Sequence, residues 1–247
     1  MQPIRIATRD EWLAARLALL ASEKAETRMR DENRARRREL PWVPVEADYR
    51  FMTPRGERSL AELFEGRSQL IVYHFMFGPD WQAGCTGCSF LADHLDGTLP
   101  HLNHHDVTLV AVSRAPLEKL EAYRSRMGWR FPWVSSMGSE FNRDFHVSFS
   151  EAELASGAVR YNFAEIPADR AAPELPGLSA FARDESGRVF HTYSSYGRGP
   201  EELIGTLMIL DRAPKGRNED ETMDFVRRHD EYAGGPQAKQ RGSIAAE

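Results

Sequence analysis

The sequence carries an apolar run, Leu70-Ile71-Val72-Tyr73-His74-Phe75-Met76-Phe77, which is followed after a short loop by Gly84-Cys85-Thr86-Gly87-Cys88-Ser89. The run predicts a buried strand, and residues 86–96 predict a helix that ends at Gly97. Cys85 and Cys88 are the only two cysteines in the chain. Because positions i and i+3 are neighbours on a helix, the two sulfurs should lie close enough to bond. The free N–H groups at the helix start favour the thiolate form of Cys85.

Length and composition limit the class of protein. The chain has 247 residues, of which 41% are hydrophobic, and a formal net charge of −5 at pH 7. This allows one full domain with extensions, and the net charge gives no reason to expect a nucleic-acid partner. The sequence shows neither an apolar signal segment at its start nor the roughly 18 consecutive apolar residues of a membrane span. We therefore expect a soluble, cytoplasmic protein without a membrane partner, in which a cysteine pair is more often redox-active or metal-binding than structural.

The chain should be organised in three parts. Thr8 and Glu11 form a capping box that opens a long helix, which prolines then stop. We expect an N-terminal helical extension over residues 1–40, a domain over residues 41–212 and a polar, partly disordered C-terminal tail over residues 213–247. Since the first half of the helix is amphipathic, it could pack against a second copy of the chain as readily as against its own, so a homo-oligomer is an open alternative.

Strands and helices alternate in the middle part. In chain order the sequence predicts a hairpin at 49–59, the strand at 69–77, the cysteine helix, a strand at 106–113, a helix from Pro116 to Gly128, a long connection at 147–176, a hairpin at 178–193 and a helix from Pro200. The strand–helix–strand order around the cysteines implies a parallel central pair joined by a right-handed crossover. The predicted fold class is therefore α/β.

This order of elements resembles the thioredoxin superfamily. Finer blocks are similar to a bacterial family of thioredoxin-like proteins of uncharacterised function: residues 73–81, the cysteine pair and residues 189–193, within a match over roughly residues 5–230. The resemblance implies a thioredoxin-like fold with a central mixed β-sheet flanked by helices, here with a long N-terminal helix and a polar C-terminal tail. It also implies redox chemistry, although it brings no established substrate.

The cysteine pair is the predicted catalytic centre. In a thiol–disulfide oxidoreductase, Cys85 would attack a substrate disulfide and Cys88 would resolve the mixed disulfide. The resemblance also implies a cis-proline before the strand that faces the dithiol, for which Pro176 is the candidate. The sequence departs from thioredoxin itself at Gly84, where an aromatic residue is usual, and between the cysteines, where Thr-Gly replaces Gly-Pro.

Four further residues are expected to line the site: His74, Asp80, Trp81 and Thr86. His74 could move protons near neutral pH, and a buried core histidine is the alternative. Asp80 and Trp81 stand in the loop before the cysteines, where Asp80 either accepts a proton from the second cysteine or caps a loop turn. Thr86 opens the cysteine helix, directly after the attacking cysteine.

Three functions stay open. A thiol–disulfide oxidoreductase needs no cofactor beyond its dithiol, and its partner is a thiol or disulfide substrate. The second function is a thiol peroxidase of the peroxiredoxin type, although neither cysteine is preceded by the proline and the Thr or Ser that those enzymes use. The third is a module that binds a partner or a soft ion such as Cu(I). His101, His104 and His105 do not predict a metal site, because the cysteine helix separates them from the thiols.

Overall fold

The computed structural model describes residues 5–232, which fall into two compact units, one ending at Trp42 and the other beginning at Val43. The first unit contains helix α1, Arg9–Arg38, which begins at the predicted capping box. The N–H of Glu11 donates to Thr8 Oγ1, and the Glu11 carboxylate accepts from the N–H of Thr8. None of the helices within residues 5–232 is long and apolar enough to cross a membrane.

The second unit is built on a mixed β-sheet. Its strands are β1 Val43–Pro44, β2 Arg50–Thr53, β3 Gly56–Ser59, β4 Gln69–His74, β5 Val107–Ser113, β6 Trp133–Ser135, β7 Ala158–Tyr161, β8 Ala164–Pro167, β9 Gly177–Arg183 and β10 Val189–Tyr196. Eight of them form one sheet in the order β1-β10-β9-β4-β5-β6-β2-β3, while β7 and β8 pair in a separate two-stranded sheet.

Helices connect these strands and cover the sheet. They are α2 Thr86–Ala92, α3 Leu99–His104, α4 Leu117–Met127, α5 Phe141–Asp144, α6 Glu151–Ala155 and α7 Gly205–Leu210, with short 3-10 helices at Ala61–Phe64, Asp96–Thr98, Ala168–Arg170 and Gly199–Leu203. Helices α2, α4 and α7 contribute buried residues to one hydrophobic core, and α5 contributes to a second one. The sheet is therefore packed on both faces.

Strands β4 and β5 run parallel at the centre, with Val72 opposite Val110, and β9 pairs antiparallel with the other edge of β4. The chain passes from β4 to β5 through α2 and α3, in the predicted strand–helix–strand order. This is the thioredoxin-like arrangement. It confirms the predicted α/β fold class, with a central mixed sheet, flanking helices and a long N-terminal helix.

The alternation of side chains along β4 decides which residues can reach the dithiol. Successive side chains of a strand point to opposite faces of the sheet. Tyr73 belongs to the core that contains Cys88, whereas Leu70 and Val72 belong to the core on the other face. We call these the dithiol core and the opposite core.

The predicted connection at 147–176 contains regular structure that the sequence did not reveal. It includes α6, which begins at a capping box, and the β7–β8 hairpin. The hairpin turns at Asn162 and Phe163, whose φ angles are 50° and 64°. Turns with two positive φ angles normally carry Asn-Gly. Because phenylalanine stands at the second turn position here, the sequence does not show the usual hairpin signal.

Residues 213–232, the described part of the predicted polar tail, pack on the domain through a few apolar side chains, a contact that the sequence did not predict. Val226 is buried in the dithiol core, and Met223 and Phe225 pack against the same core. Charged residues separate these apolar positions, so no helical or strand periodicity marks them in the sequence. The remaining part of the predicted tail, residues 233–247, lies outside the described residues.

Candidate redox site

The cysteine pair lies at the start of α2, directly after the central strand. Cys85 is the N-cap residue, with φ −54° and ψ 135°, and its N–H donates to Met76 O at 3.0 Å. Its carbonyl accepts from both the N–H and the hydroxyl of Ser89, at 2.9 and 2.8 Å. Both cysteines are free thiols; Cys85 is half-buried and Cys88 is buried at 3% exposure.

The surroundings give the two thiols opposite acidities. A hydrogen bond from the Cys88 thiol lowers the pKa of Cys85 to about 6, with further help from the N–H groups of Cys88 and Gly87 and from the charge of Arg228, while burial opposes the shift. Burial and the neighbouring Cys85 sulfur raise the pKa of Cys88 well above its usual value. At neutral pH the pair therefore consists of a thiolate at Cys85 and a thiol at Cys88.

Tyr73 of β4 is part of the site. Its side chain is buried and forms a hydrogen bond with Cys88, and burial followed by the nearby sulfurs raises the pKa of its hydroxyl. The backbone of Met76, just beyond β4, also forms a hydrogen bond with Cys88. The second thiol is thus held by the strand while the first one is presented at the helix start.

Arg228 joins the cysteine loop to helix α4. Its Nε donates to the hydroxyl of Tyr123 at 2.7 Å, and its Nη2 donates to the carbonyl of Gly84 at 2.8 Å. The Tyr123 hydroxyl in turn lies 2.9 Å from Ser89 Oγ in α2. The guanidinium therefore holds the residue before Cys85 and contributes positive charge next to the attacking sulfur.

Arg228 belongs to a segment, Met223–Glu231, that we call the C-terminal strap. A Cβ built on Gly87 would lie 3.8 Å from Met223 Sδ and 4.0 Å from Cys85 Sγ. Further along, the ring of Phe225 lies 6.2 Å from that of Phe90, edge to face. The strap thus runs beside the dithiol helix, starting near the attacking sulfur.

Two polar contacts fix the far end of the strap. His229 Nδ1 lies 2.7 Å from Asp93 Oδ1 at the end of α2. Arg126 of α4 donates to both carboxylate oxygens of Asp230, at 2.8 and 3.0 Å, and the Asp230 side chain is only 6% exposed. Bidentate pairing of a largely buried carboxylate gives this contact a fixed geometry.

Close packing explains why glycine precedes the first cysteine. A Cβ on Gly84 would lie 2.6 Å from Cε1 of Phe75 and 3.1 Å from Cε1 of Tyr123. Phe75 is 1% exposed and its ring packs against those of Trp129 and Trp133, so it cannot move away without displacing other buried rings. An aromatic residue, usual at this position in thioredoxin, does not fit here.

We expect Gly84→Ala to lower the free energy of unfolding by about 1–3 kcal/mol, because the added methyl group overpacks the dithiol core. Gly87→Ala is the matched control: its Cβ has no contact shorter than 3.8 Å, and alanine favours the helix. Urea unfolding of both variants measures the difference. Equal stabilities of the two variants would contradict the packing argument.

His74 does not line the site, contrary to the prediction. Its ring stacks on Phe141 and Phe145, with centroids 5.5 and 5.6 Å apart, in the opposite core. Its Nε2 lies 2.8 Å from Ser179 Oγ, while its buried Nδ1 has no partner among the described residues. Burial lowers the pKa of His74 to about 3. This is the core histidine of the alternative interpretation, on the far side of the sheet from the thiols.

The loop residues and Thr86 lie near the cysteines in different ways. Trp81 is half-buried, packs against the dithiol core and covers Gly78, where a Cβ would lie 2.9 Å from the indole Nε1. Thr86 is the first residue of α2 and half-buried. Asp80 is exposed. The hydrogen-bond partners of the Cys88 thiol are Cys85, Tyr73 and the backbone of residue 76, and the Asp80 carboxylate is not among them.

The predicted cis-proline is also wrong. Pro176 directly precedes β9, the strand that pairs with β4, as the resemblance implies for this position. Its peptide bond is nevertheless trans, like every other peptide bond in residues 5–232. Its carbonyl accepts a hydrogen bond from the hydroxyl of Tyr161 at 2.6 Å. The trans form is the ordinary state of an X–Pro bond and is more stable than the cis form by about 0.5–1 kcal/mol.

Sequence reasoning missed three residues of the site: Tyr73, Tyr123 and Arg228. The two-residue alternation of β4 was a usable signal for Tyr73, because it places this side chain opposite His74 and on the same face as Phe75. No comparable signal exists for Arg228, which lies in a charged segment far from the cysteines in sequence. In the described part of the chain, no three His, Cys, Asp or Glu side chains converge as metal ligands.

The fold and the position of the dithiol define a class: a thioredoxin-like α/β protein with Cys-x-x-Cys at the start of the helix that follows the central strand. Within it, the chain belongs to the DUF899 family, described as bacterial protein of unknown function, whose model matches residues 1–232.

Several solved structures are similar to the chain. Peroxidoxin BcpB from Mycobacterium tuberculosis is 14% identical, with 69% of this chain and 96% of that chain covered and a TM-score of 0.42. Peroxiredoxin Q from Xanthomonas campestris is 13% identical, with coverages of 69% and 97% and a TM-score of 0.44. The mitochondrial 2-Cys peroxiredoxin from Plasmodium falciparum is 11% identical, with coverages of 70% and 96% and a TM-score of 0.40. Among curated proteins, none matches the chain.

Proposed function

We propose that this protein is a thiol–disulfide oxidoreductase with Cys85 as the attacking thiolate and Cys88 as the resolving thiol. The observation that carries the proposal is the asymmetry of the pair. Cys85 is half-buried with a pKa of about 6, and Cys88 is buried, hydrogen-bonded to it and protonated. A thiolate near its pKa at working pH combines a high ionised fraction with good nucleophilicity.

The reaction proceeds in two exchanges. The Cys85 thiolate attacks one sulfur of a substrate disulfide, the substrate S–S bond breaks, and the leaving thiolate takes a proton from solvent. Cys88 then loses its proton and attacks the Cys85 sulfur, which releases the second substrate thiol and leaves the Cys85–Cys88 disulfide. The substrate gains two electrons and the dithiol loses two. Exchange with an external dithiol returns the site to its reduced form.

The neighbours of the pair support these steps. Positive charge from Arg228 and the N–H groups at the start of α2 stabilise Cys85 as a thiolate. Tyr73 holds Cys88 in place, so the second sulfur stays within reach of the first. Burial is the largest cause of the raised pKa of Cys88 and persists in the mixed disulfide, but the contribution of the Cys85 charge is removed when Cys88 must ionise.

The test is a turnover assay on the full chain with dithiothreitol as reductant and dithionitrobenzoate as disulfide substrate. We expect catalytic release of thionitrobenzoate above the background given by dithiothreitol alone, with many turnovers per protein. A dithiothreitol-only reaction and a reaction with protein alkylated by iodoacetamide are the controls. Turnover no faster than the dithiothreitol background would sink the proposal.

Reduction of a hydroperoxide is the second candidate, favoured by the same hydrogen-bonded pair. The Cys85 thiolate would attack the peroxide O–O bond, giving the sulfenic acid and, after proton uptake, an alcohol or water. Cys88 would then condense with the sulfenic acid, release water and form the same disulfide. Replacing dithionitrobenzoate by hydrogen peroxide in the assay, with peroxide consumption as the readout, decides between the two substrates. Cu(I) binding is less favoured, because a second thiolate at Cys88 is costly in its buried position.

A further inference from the structure

The C-terminal strap runs along one face of the dithiol helix. It lies beside Gly87, Phe90 and the C-cap residue Asp93, which are three residues apart and therefore lie in one row along α2. The neighbouring row carries Cys85 and Cys88. Met223 Sδ of the strap and Cys85 Sγ both lie within 4.0 Å of the position that a Cβ on Gly87 would take, so the strap lies beside the attacking sulfur.

The strap is seated on the domain by buried contacts as well as ion pairs. Val226 is 4% exposed and lies in the dithiol core, and Arg228 spans from Tyr123 to the carbonyl of Gly84. The strap is thus part of the wall next to the Cys85 sulfur rather than a loosely attached segment.

Thiol–disulfide exchange is sensitive to access at this sulfur. The attacking thiolate must approach a disulfide along the axis of its S–S bond, and a disulfide held in a protein brings polypeptide on both sides of that axis. Because Met223 of the strap lies on one side of Cys85, such a polypeptide would meet the strap on that side of the sulfur. A small disulfide has no such requirement.

We propose that the strap is a specificity element that admits low-molecular-mass disulfides to Cys85 and excludes disulfides held in protein chains. This inference rests on the proposed oxidoreductase function. Release of the strap should then open the site to protein substrates without removing either thiol.

Arg126 is the residue through which the strap can be released. It lies on α4 and donates to Asp230 and to Glu231 of the strap. Its replacement leaves the carboxylate of Asp230 without its bidentate partner, which is strongly unfavourable at 6% exposure. Arg124, two residues earlier, pairs with Glu121 of the same helix instead and makes a matched control.

The experiment compares insulin and dithionitrobenzoate as substrates of the full chain, with dithiothreitol as reductant. We expect wild type and Arg124→Ala to reduce insulin at least about tenfold more slowly than dithionitrobenzoate. Arg126→Ala should raise the ratio of insulin to dithionitrobenzoate turnover by at least about threefold, even if displacement of Arg228 lowers turnover of both substrates. Asp230→Asn, which keeps the side-chain volume and removes the charge, should change the ratio in the same direction.

The outcomes separate the two proposals. The specificity role of the strap is overturned if wild type reduces insulin as fast as dithionitrobenzoate. It is also overturned if Arg126→Ala and Asp230→Asn both keep the wild-type ratio of the two turnover rates. In either case the oxidoreductase function stands. If no variant reduces either disulfide, the oxidoreductase function fails and the inference fails with it. Circular dichroism spectra matching the wild type show that a variant has folded, and Asp230→Asn carries the test if Arg126→Ala does not.

Discussion

Replacing Cys85 with serine should abolish reduction of dithionitrobenzoate, with a loss of at least about a thousand-fold, as expected when a covalent nucleophile is removed. The structure gives the reason: Cys85 is half-buried and its pKa is about 6, so at neutral pH it is the thiolate that a substrate can reach. A serine hydroxyl does not ionise in this range. The buried Cys88, whose pKa is raised well above its usual value, is not expected to take over the attack.

Replacing Cys88 should have a different result, because it removes only the resolving step. Cys88→Ser should still attack dithionitrobenzoate once and release one equivalent of thionitrobenzoate, after which a mixed disulfide accumulates at Cys85. Mass spectrometry of the product identifies the adduct and its position. An adduct that forms on Cys88 of the Cys85→Ser variant at the wild-type rate would reverse the assigned roles.

The Cys88 variants also test why Cys85 is acidic. The largest cause is the hydrogen bond from the Cys88 thiol, so Cys88→Ala, which has no donor, should raise the pKa of Cys85. Cys88→Ser keeps a hydroxyl donor and is the matched control, with a smaller rise expected. The pH dependence of the iodoacetamide reaction measures these values, and wild type should show a midpoint near pH 6. Equal midpoints for the two variants would assign the low pKa to the helix start and Arg228 instead.

The fold and the cysteine pair could be predicted because local rules determine them. An apolar run before a helix start predicts the central strand, and the three-residue spacing places both sulfurs on one turn of α2. The β2–β3 hairpin and the helix from Leu117 to Met127 followed in the same way from a turn and from a proline and a glycine at the helix ends. In each case the neighbouring residues carry enough information.

The site residues that were placed wrongly depend on which face of the sheet they occupy. His74 is close to the cysteines in sequence, but the alternation of β4 turns it into the opposite core. Applied to the run from Tyr73 to Phe77, the same alternation would have selected Tyr73 instead. Pro176 directly precedes β9 with a trans peptide bond, and the isomer of an X–Pro bond is not encoded by its position in the sequence.

The C-terminal strap could not be predicted, because its structure depends on tertiary contacts alone. Met223, Phe225 and Val226 provide too little apolar surface to signal a buried segment by themselves. Arg228 and Asp230 become informative only when Tyr123 and Arg126 of α4 are known to face them. A segment with high charge density and no regular element is normally interpreted as solvated, and here its charges are paired with a helix more than a hundred positions earlier.

Acidification should destabilise the protein through His74. In the folded state the pKa of His74 is about 3, against an unperturbed value of 6.5. The ring is 1% exposed, and burial disfavours its charged form. Between these two values the unfolded chain binds a proton that folded His74 does not bind. The contribution of neutral His74 to the free energy of unfolding is therefore fully present above about pH 6.5. It is lost progressively as the pH falls towards about 3.

The expected loss from His74 alone is on the order of 4 kcal/mol over that window, with a slope approaching about 1.4 kcal/mol per pH unit once the unfolded-state histidine is protonated. His191, whose pKa is also lowered by burial, adds to the wild-type slope in the same direction. Urea unfolding between pH 7 and 5 measures the slope before most carboxylates titrate. His74→Gln should reduce the slope, and His104→Gln, which replaces an exposed histidine at the end of α3, is the surface control. The carboxylates are common to all three proteins, so they contribute equally to each slope of unfolding free energy against pH. A His74→Gln slope equal to that of wild type would show that His74 is protonated in the folded state as readily as in the unfolded chain.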